Sequence, residues 1–244
     1  MKKGRDIEQD ISKRIDFIRK VLADANAGGI VFGNSGGKDS ALAGILCKMA
    51  CQNTLAVMMP CQAERNFAQD MQDAKELANK FKIQTKIVDL TQTKEALLGA
   101  LNSDICDVAS INIAPRLRMT ALYAIAANEN RLVAGTGNRS ETYMGYFTKW
   151  GDGACDFNPI ADLTVGEIYD FLHFLNAPKT IIDKAPSAGL FDGQTDENEM
   201  GVSYKSIDNF LFGREVSDKE RQIIEQYHRR SNHKRKLPLV FGDE

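Results

Sequence analysis

The chain has 244 residues, enough for one sizeable α/β domain with a well-buried core. Its 31 Lys and Arg against 33 Asp and Glu leave a net charge of −2, which excludes a surface built to coat a polyanion. No apolar window reaches the length of a membrane span, and the opening MKKGRDIEQD has positive charge without an apolar stretch behind it; the expectation is a soluble cytoplasmic protein with neither membrane nor nucleic-acid partners.

In chain order, Ile7, Ile11, Ile15, Ile18 and Leu22 recur at three- and four-residue intervals and predict an amphipathic helix over 7–22, ended by Gly28 and Gly29. A short apolar run at 30–32 predicts a strand, 41–51 a largely apolar helix, 54–60 a second strand, 68–81 a second crossover helix and 83–90 a third strand. A helix over 116–128 then leads to a strand at 131–134 and a second glycine loop, GTGN. Strands alternating with helices require crossovers, so the expected fold is α/β: an open, mostly parallel, Rossmann-like sheet with helices on both faces. Ligands in such sheets bind beyond the carboxyl ends of the strands, where both glycine loops emerge.

Residues 139–163 read as a long polar loop, and the stretch KAPSAGLFDGQTDENEMG as a glycine- and acid-rich surface segment. Thr164 with Glu167, and Ser217 with Glu220, are capping-box signatures of ordinary helix starts. The five cysteines, Cys47, Cys51, Cys61, Cys106 and Cys155, are odd in number and lack metal-ligand spacing, so burial as small apolar residues is expected of them.

The first glycine loop, GNSGGKDS, carries the chemistry. Glycines between a strand and a helix present backbone N–H groups and the positive end of a helix dipole, which suit an anion such as phosphate. The kinase-like pattern G-x-x-x-x-G-K-[ST] fails twice, at Phe32 and at Asp39, and the dinucleotide pattern G-x-G-x-x-G fails at Ser35. A carboxylate at Asp39 is unfavourable beside phosphate unless a cation stands between them, so Mg²⁺ ligation is its natural role, with Lys38 as a second positive charge.

The string S-G-G-K-D-S, residues 35–40, resembles the pyrophosphate-releasing loop of the N-type ATP pyrophosphatases. Six further strings, NIAPRLRM, GTGNRSE, GYFTKWGDG, KAPSAGL, QTDENEMGVSY and NHKRKLP, occur in the order found in one branch of that group. Together they resemble ammonia-dependent NAD synthetase, covering residues 33–238. The resemblance implies an adenine nucleotide α-hydrolase-like fold and a ligase that uses ATP, Mg²⁺ and ammonia to amidate nicotinic acid adenine dinucleotide through an adenylated carboxylate.

It also implies a residue assignment. Gly33, Asn34, Ser35, Gly36, Gly37, Lys38, Asp39, Ser40, Thr136 and Ser187 would contact ATP; Asp39 and Glu141 would ligate Mg²⁺. Arg116, Lys149, Asp156, His233 and Lys234 would bind the deamido-dinucleotide, and Asp152, together with Lys38, would be catalytic, Asp152 by taking a proton from ammonium or ammonia. The chain departs from the family at Val165, where a phosphate-binding lysine is usual; Lys38 and Lys184 are the candidates to supply that charge. The resemblance further implies one synthetase domain over 1–244 with no glutaminase domain, and a homodimer with the dinucleotide site at its interface. Two other readings compete: a tRNA-modifying adenylating enzyme sharing the loop, and a nucleotide-binding sensor without turnover.

Overall fold

A period of two along the first strand sets the architecture. Ile30 and Phe32 point to one side of the sheet and Val31 to the other, and all three are fully buried. In the computed structural model, which describes residues 5–61, 64–101, 105–184, 196–238 and 240–242, this strand is β1 (Gly29–Gly33). It pairs in parallel with β2 (Thr54–Met58) on one side and β4 (Arg131–Val133) on the other. The outer strand β3 (Gln84–Ile87) completes the order β3-β2-β1-β4. The expected open parallel sheet is therefore present, with β1 one residue longer at each end than expected and the other three strands shorter.

Helices cover both faces. On the Phe32 side, α1 (Ile7–Asp24), α2 (Lys38–Ala50) and α8 (Val165–Phe174) bury Ile18, Leu42, Ile45 and Phe171. Leu77 and Ala78 of α3 (Glu64–Phe81) join the same cluster. On the Val31 side, α6 (Ile113–Glu129) contributes Met119, Leu122 and Ala126. Gly44 lets α2 approach β1 closely, because a Cβ there would enter the Phe32 ring. Arg14 of α1 grips the segment that leads into α8: its guanidinium bonds both carboxylate oxygens of Asp162, at 2.6 and 2.8 Å, and the Pro159 carbonyl at 2.6 Å.

Several helices depart from the sequence expectation. The helix after the phosphate loop starts at Lys38, three residues before the predicted 41, because Gly37 takes the N-cap position and the polar residues Lys38, Asp39 and Ser40 form the first turn. Periodicity gave no signal for α4 (Thr91–Leu101) and α5 (Asp107–Ile111), which carry a single buried residue between them, Lys94. The segment 139–163 is not wholly loop: α7 (Arg139–Met144) opens it, capped at both ends by Asn138 and a left-handed Gly145. A third cluster, with Met144, Val165, Tyr204, Ile207 and Ile224, joins α7 and α8 to α10 (Asp196–Met200), α11 (Tyr204–Leu211) and α12 (Asp218–Arg230). The short α9 (Lys179–Ile182) buries Ile181 against the first cluster. Both predicted capping boxes form, at Thr164 and Ser217. Cys47 and Cys61 are buried, as expected of small apolar residues, whereas Cys51 and Cys155 are half-buried and Cys106 is exposed.

Candidate active site

The carboxyl ends of β1, β2 and β4 open on one cavity of about 920 Å³. Residues 34–37 turn the chain from β1 into α2, and side chains tie that turn to itself. The Asn34 amide donates to the Ala74 carbonyl at 3.1 Å and accepts from the Gly36 N–H at 3.3 Å. Ser35 Oγ accepts from the Gly37 N–H at 3.3 Å and lies 3.1 Å from Ser40 Oγ. Gly36 has φ of 76°, and a Cβ there would collide with the Asp70 carbonyl oxygen of α3. The anion cradle is thus shaped by backbone, held from behind by α3.

The first turn of α2 aims two charges at α7. Lys38 is 7% exposed; its Nζ donates to Asp39 Oδ2 at 2.7 Å and lies 5.5 Å above the Tyr204 ring. Asp39 Oδ1 accepts from the Asn138 side chain at 2.9 Å. Asn138 in turn forms a capping box with Glu141, accepting from the Glu141 N–H at 2.9 Å and donating its own N–H to Glu141 Oε2 at 3.2 Å. One asparagine therefore bridges the acids of the two glycine loops. Burial, reinforced by the Asp39 charge and opposed by Lys38, pushes the Glu141 carboxyl up to about 8. Burial disfavours the charge on Lys38, but Asp39 and Glu141 outweigh it and raise that ammonium above its ordinary value. The raised Glu141 carboxyl shows that one ammonium does not offset both acids; ionising the pair calls for further positive charge, and hard oxygen donors in that setting fit a divalent cation.

Position 165 is fully committed to packing. Val165 is the first residue of α8, 4% exposed, and its N–H donates to Ser140 Oγ at 3.3 Å. The two candidate lysines divide in environment: Lys38 is locked to the acid pair, whereas Lys184, at the cavity wall, is held by Asp70 and, at 2.9 Å, by Asp73 of α3.

The far side of the cavity carries Asp152, which accepts from the Thr148 N–H at 3.0 Å. Burial pushes its carboxyl above the usual range, partly offset by hydrogen bonds and by Lys234. Lys234 Nζ donates to the Gly145 and Phe147 carbonyls, both at 2.8 Å, fixing the C-terminal segment over this loop. Thr136 also lines the cavity. Ser187 lies outside the described residues.

The remaining expected contacts form a rim beside the cavity. Lys149 Nζ donates to the His233 carbonyl at 2.7 Å, and the Arg116 guanidinium to the Lys149 carbonyl at 3.3 Å, so Arg116, Lys149 and His233 share one exposed edge. Asp156 stands apart from them, accepting from the Val133 N–H at 2.7 Å and the Tyr123 hydroxyl at 3.1 Å, where it closes the end of β4. Sequence reasoning missed Asn138, although Asn-x-x-Glu at 138–141 is itself a capping-box pattern. It also missed Arg118, one helical turn-half beyond Arg116, which nothing but the tertiary structure turns into the cavity.

The family profile described as NAD synthase matches residues 10–238. The NH(3)-dependent NAD(+) synthetase of Carboxydothermus hydrogenoformans is 43% identical over 238 residues, spanning 96% of this chain and 97% of the relative. Among solved structures, an NMN synthetase from Francisella tularensis superposes with a TM-score of 0.94 at 41% identity, covering 98% of this chain and 100% of that one. An NH3-dependent NAD synthetase from Campylobacter jejuni, solved with nitrate, gives 0.82 at 30% identity with the same coverage. With a parallel sheet, two glycine loops at its carboxyl edge and matches along nearly its whole length, the chain belongs to the NAD synthase family.

Proposed function

We propose that the chain amidates nicotinic acid adenine dinucleotide with ammonia at the expense of ATP, yielding NAD, AMP and pyrophosphate. The observation that carries this reading is the single cavity that joins the phosphate loop, the Asp39–Glu141 pair and Asp152. A carboxylate has no competent leaving group, so its oxygen first attacks the α-phosphorus of ATP and expels pyrophosphate. Ammonia then attacks the carbonyl carbon of the mixed anhydride, AMP departs with the C–O bond electrons, and the nitrogen loses a proton. The enzyme works by positioning and by charge neutralisation.

The loop residues 33–40 and Thr136 hold the triphosphate, with Ser187 joining them. Asp39 and Glu141 would hold Mg²⁺, which when bound neutralises phosphate charge. Lys38 neutralises what remains of the acid pair. Asp152, its carboxyl raised by burial, is suited to take the proton from the attacking nitrogen at a pH nearer neutrality than a free aspartate allows. Arg116, Lys149, His233, Lys234 and Asp156 take the nucleotide portion of the acceptor. Exposed Trp150, under the Lys149 ammonium, and exposed Val108, joined to Arg116 through Asn112, support a homodimer that completes this rim. The chain acts as a synthetase domain in the cytoplasm and takes ammonia directly. Among the described residues no helix is long and apolar enough to cross a membrane.

A second acceptor has specific support: the greater likeness to the Francisella NMN synthetase than to the Campylobacter enzyme favours a mononucleotide acid, amidated by the same two steps. Purified protein given ATP, Mg²⁺, ammonium and either acid decides between them by kcat/KM. Equal yields of amide, AMP and pyrophosphate are expected. ATP binding without amide from either acid would overturn the reading in favour of a nucleotide sensor, and activity only with tRNA would favour the modifying enzyme.

A further inference from the structure

The cations around the cavity are not equivalent. Lys38 is paired with Asp39, Lys184 with Asp70 and Asp73, and Lys234 caps two backbone carbonyls. Arg118 differs from all three. Its Nε donates to the Met59 carbonyl at 3.0 Å, which anchors the guanidinium at the carboxyl end of β2. Among the described residues, neither Nη group makes a hydrogen bond or an ion pair, yet the side chain is half-buried and lines the cavity. Burial pulls its pKa below the ordinary arginine value, and the nearby charges of Cys61, Asp152 and Asp70 only partly oppose this. It remains a cation at any working pH.

With no partner among the described residues and a place on the cavity wall, the two Nη groups are free to take a ligand. The planar pair of Nη donors matches a carboxylate in two-point geometry. Both reactants of the adenylation are anionic, and the triphosphate already has the loop amides, Lys38 and the acid-pair cation. The acceptor carboxylate has none of these.

We infer that Arg118 is the subsite for the reacting carboxylate of the acceptor, gripping it through Nη1 and Nη2 in the cavity that also holds Asp152. Resting on the amidation reading above, this makes Arg118 the residue by which the enzyme distinguishes acid substrate from amide product. The amide has lost the charge that the fork recognises, so it is released, while the acid is retained.

Calorimetric titration of the full chain with the acid and amide forms of the same nucleotide, without ATP, tests this. The wild type should bind the acid about tenfold to a hundredfold more tightly than the amide. Arg118→Met should bring that ratio close to one while leaving the affinity for ATP and Mg²⁺ unchanged. Arg118→Lys, which keeps the charge but loses the fork, should give an intermediate ratio and covers the case in which the methionine variant does not fold. An unchanged acid-to-amide ratio in both variants, or a loss confined to ATP affinity, would overturn the inference. Failure of the wild type to convert either acid would instead strike the amidation reading, so the two failures are separable.

Discussion

The phosphate loop and the basic rim border the same cavity but are built in opposite ways. In the loop, the parts that matter are backbone: a left-handed Gly36 against the Asp70 carbonyl, and Asn34 and Ser35 spent on holding the turn. On the rim, the exposed Arg116 and the half-buried Lys149 rest their long side chains on backbone carbonyls. A site made of constrained backbone is formed before its ligand arrives. A site made of long exposed side chains must be ordered by the ligand or by a second subunit, and single contacts in it are correspondingly weaker.

The largest expected effect tests the preformed side. Asp39→Ala removes an acceptor from both Lys38 and Asn138 and should lower ATP–pyrophosphate exchange by about 10³-fold, with retained fold by circular dichroism. Asp152→Asn should spare that exchange but slow amide formation by about 10²-fold or more, so that adenylate accumulates in rapid-quench experiments; normal ammonia saturation without accumulation would remove Asp152 from the second step. Gly36→Ala forces a side chain into a left-handed backbone and into α3, at a cost of about 1–2 kcal/mol from the backbone alone. Its ATP affinity should drop more than its melting temperature does, whereas a loop that is loosely held would show neither change.

The rim should respond more mildly. Lys149→Ala and Arg116→Ala should each raise KM for the acceptor about tenfold, leave the KM for ATP alone, and add little to one another if a single ligand group uses both. If the rim is completed by a second copy, these KM values will rise further on dilution below the dimer dissociation constant. The smallest effect lies away from both regions. Burial pushes the Asp162 carboxyl up, but the hydrogen bond and charge of Arg14, with Arg5, outweigh it and hold it below its ordinary value. A depressed folded-state pKa stabilises the fold above the unfolded pKa, near 4, and this contribution is lost as pH falls through the folded value. Asp162→Asn should therefore lower the melting temperature by a few degrees at pH 7, with the gap to wild type closing below about pH 4.

The same contrast explains what could be read without coordinates. The strands at Ile30-Val31-Phe32 and 54–58 were legible because they are buried on both faces and hence almost uninterrupted in apolarity, whereas β4 buries only Val133 and β3 is exposed, so their signal is weaker. Helices α4 and α5 were not, because they bury almost nothing and so carry no periodic signature. Helix α7 was hidden by its brevity and by the glycines around it, though its cap at Asn138 was present in the string. Of the candidate residues, the phosphate-loop side chains, Thr136, Glu141, Asp152 and Lys234 line one cavity, Arg116, Lys149 and His233 lie along an edge joined by hydrogen bonds, Asp156 is set apart by its bond to the β4 backbone, and Ser187 is outside the described residues.

By itself, the sequence determined the parallel α/β alternation, the anion-binding turn and the substitution of Asp39 for a hydroxyl, since each depends on residues adjacent in the chain and on local backbone chemistry. Only the tertiary structure decided how polar groups 99 residues apart, Asp39 and Asn138, are coupled, that Lys38 is consumed by the acid pair while Lys184 lies against α3, and that Arg118 faces the cavity with its fork unpaired among the described residues. The reason is physical: hydrogen-bond geometry and desolvation depend on distance in space, and neither is encoded by spacing along the chain.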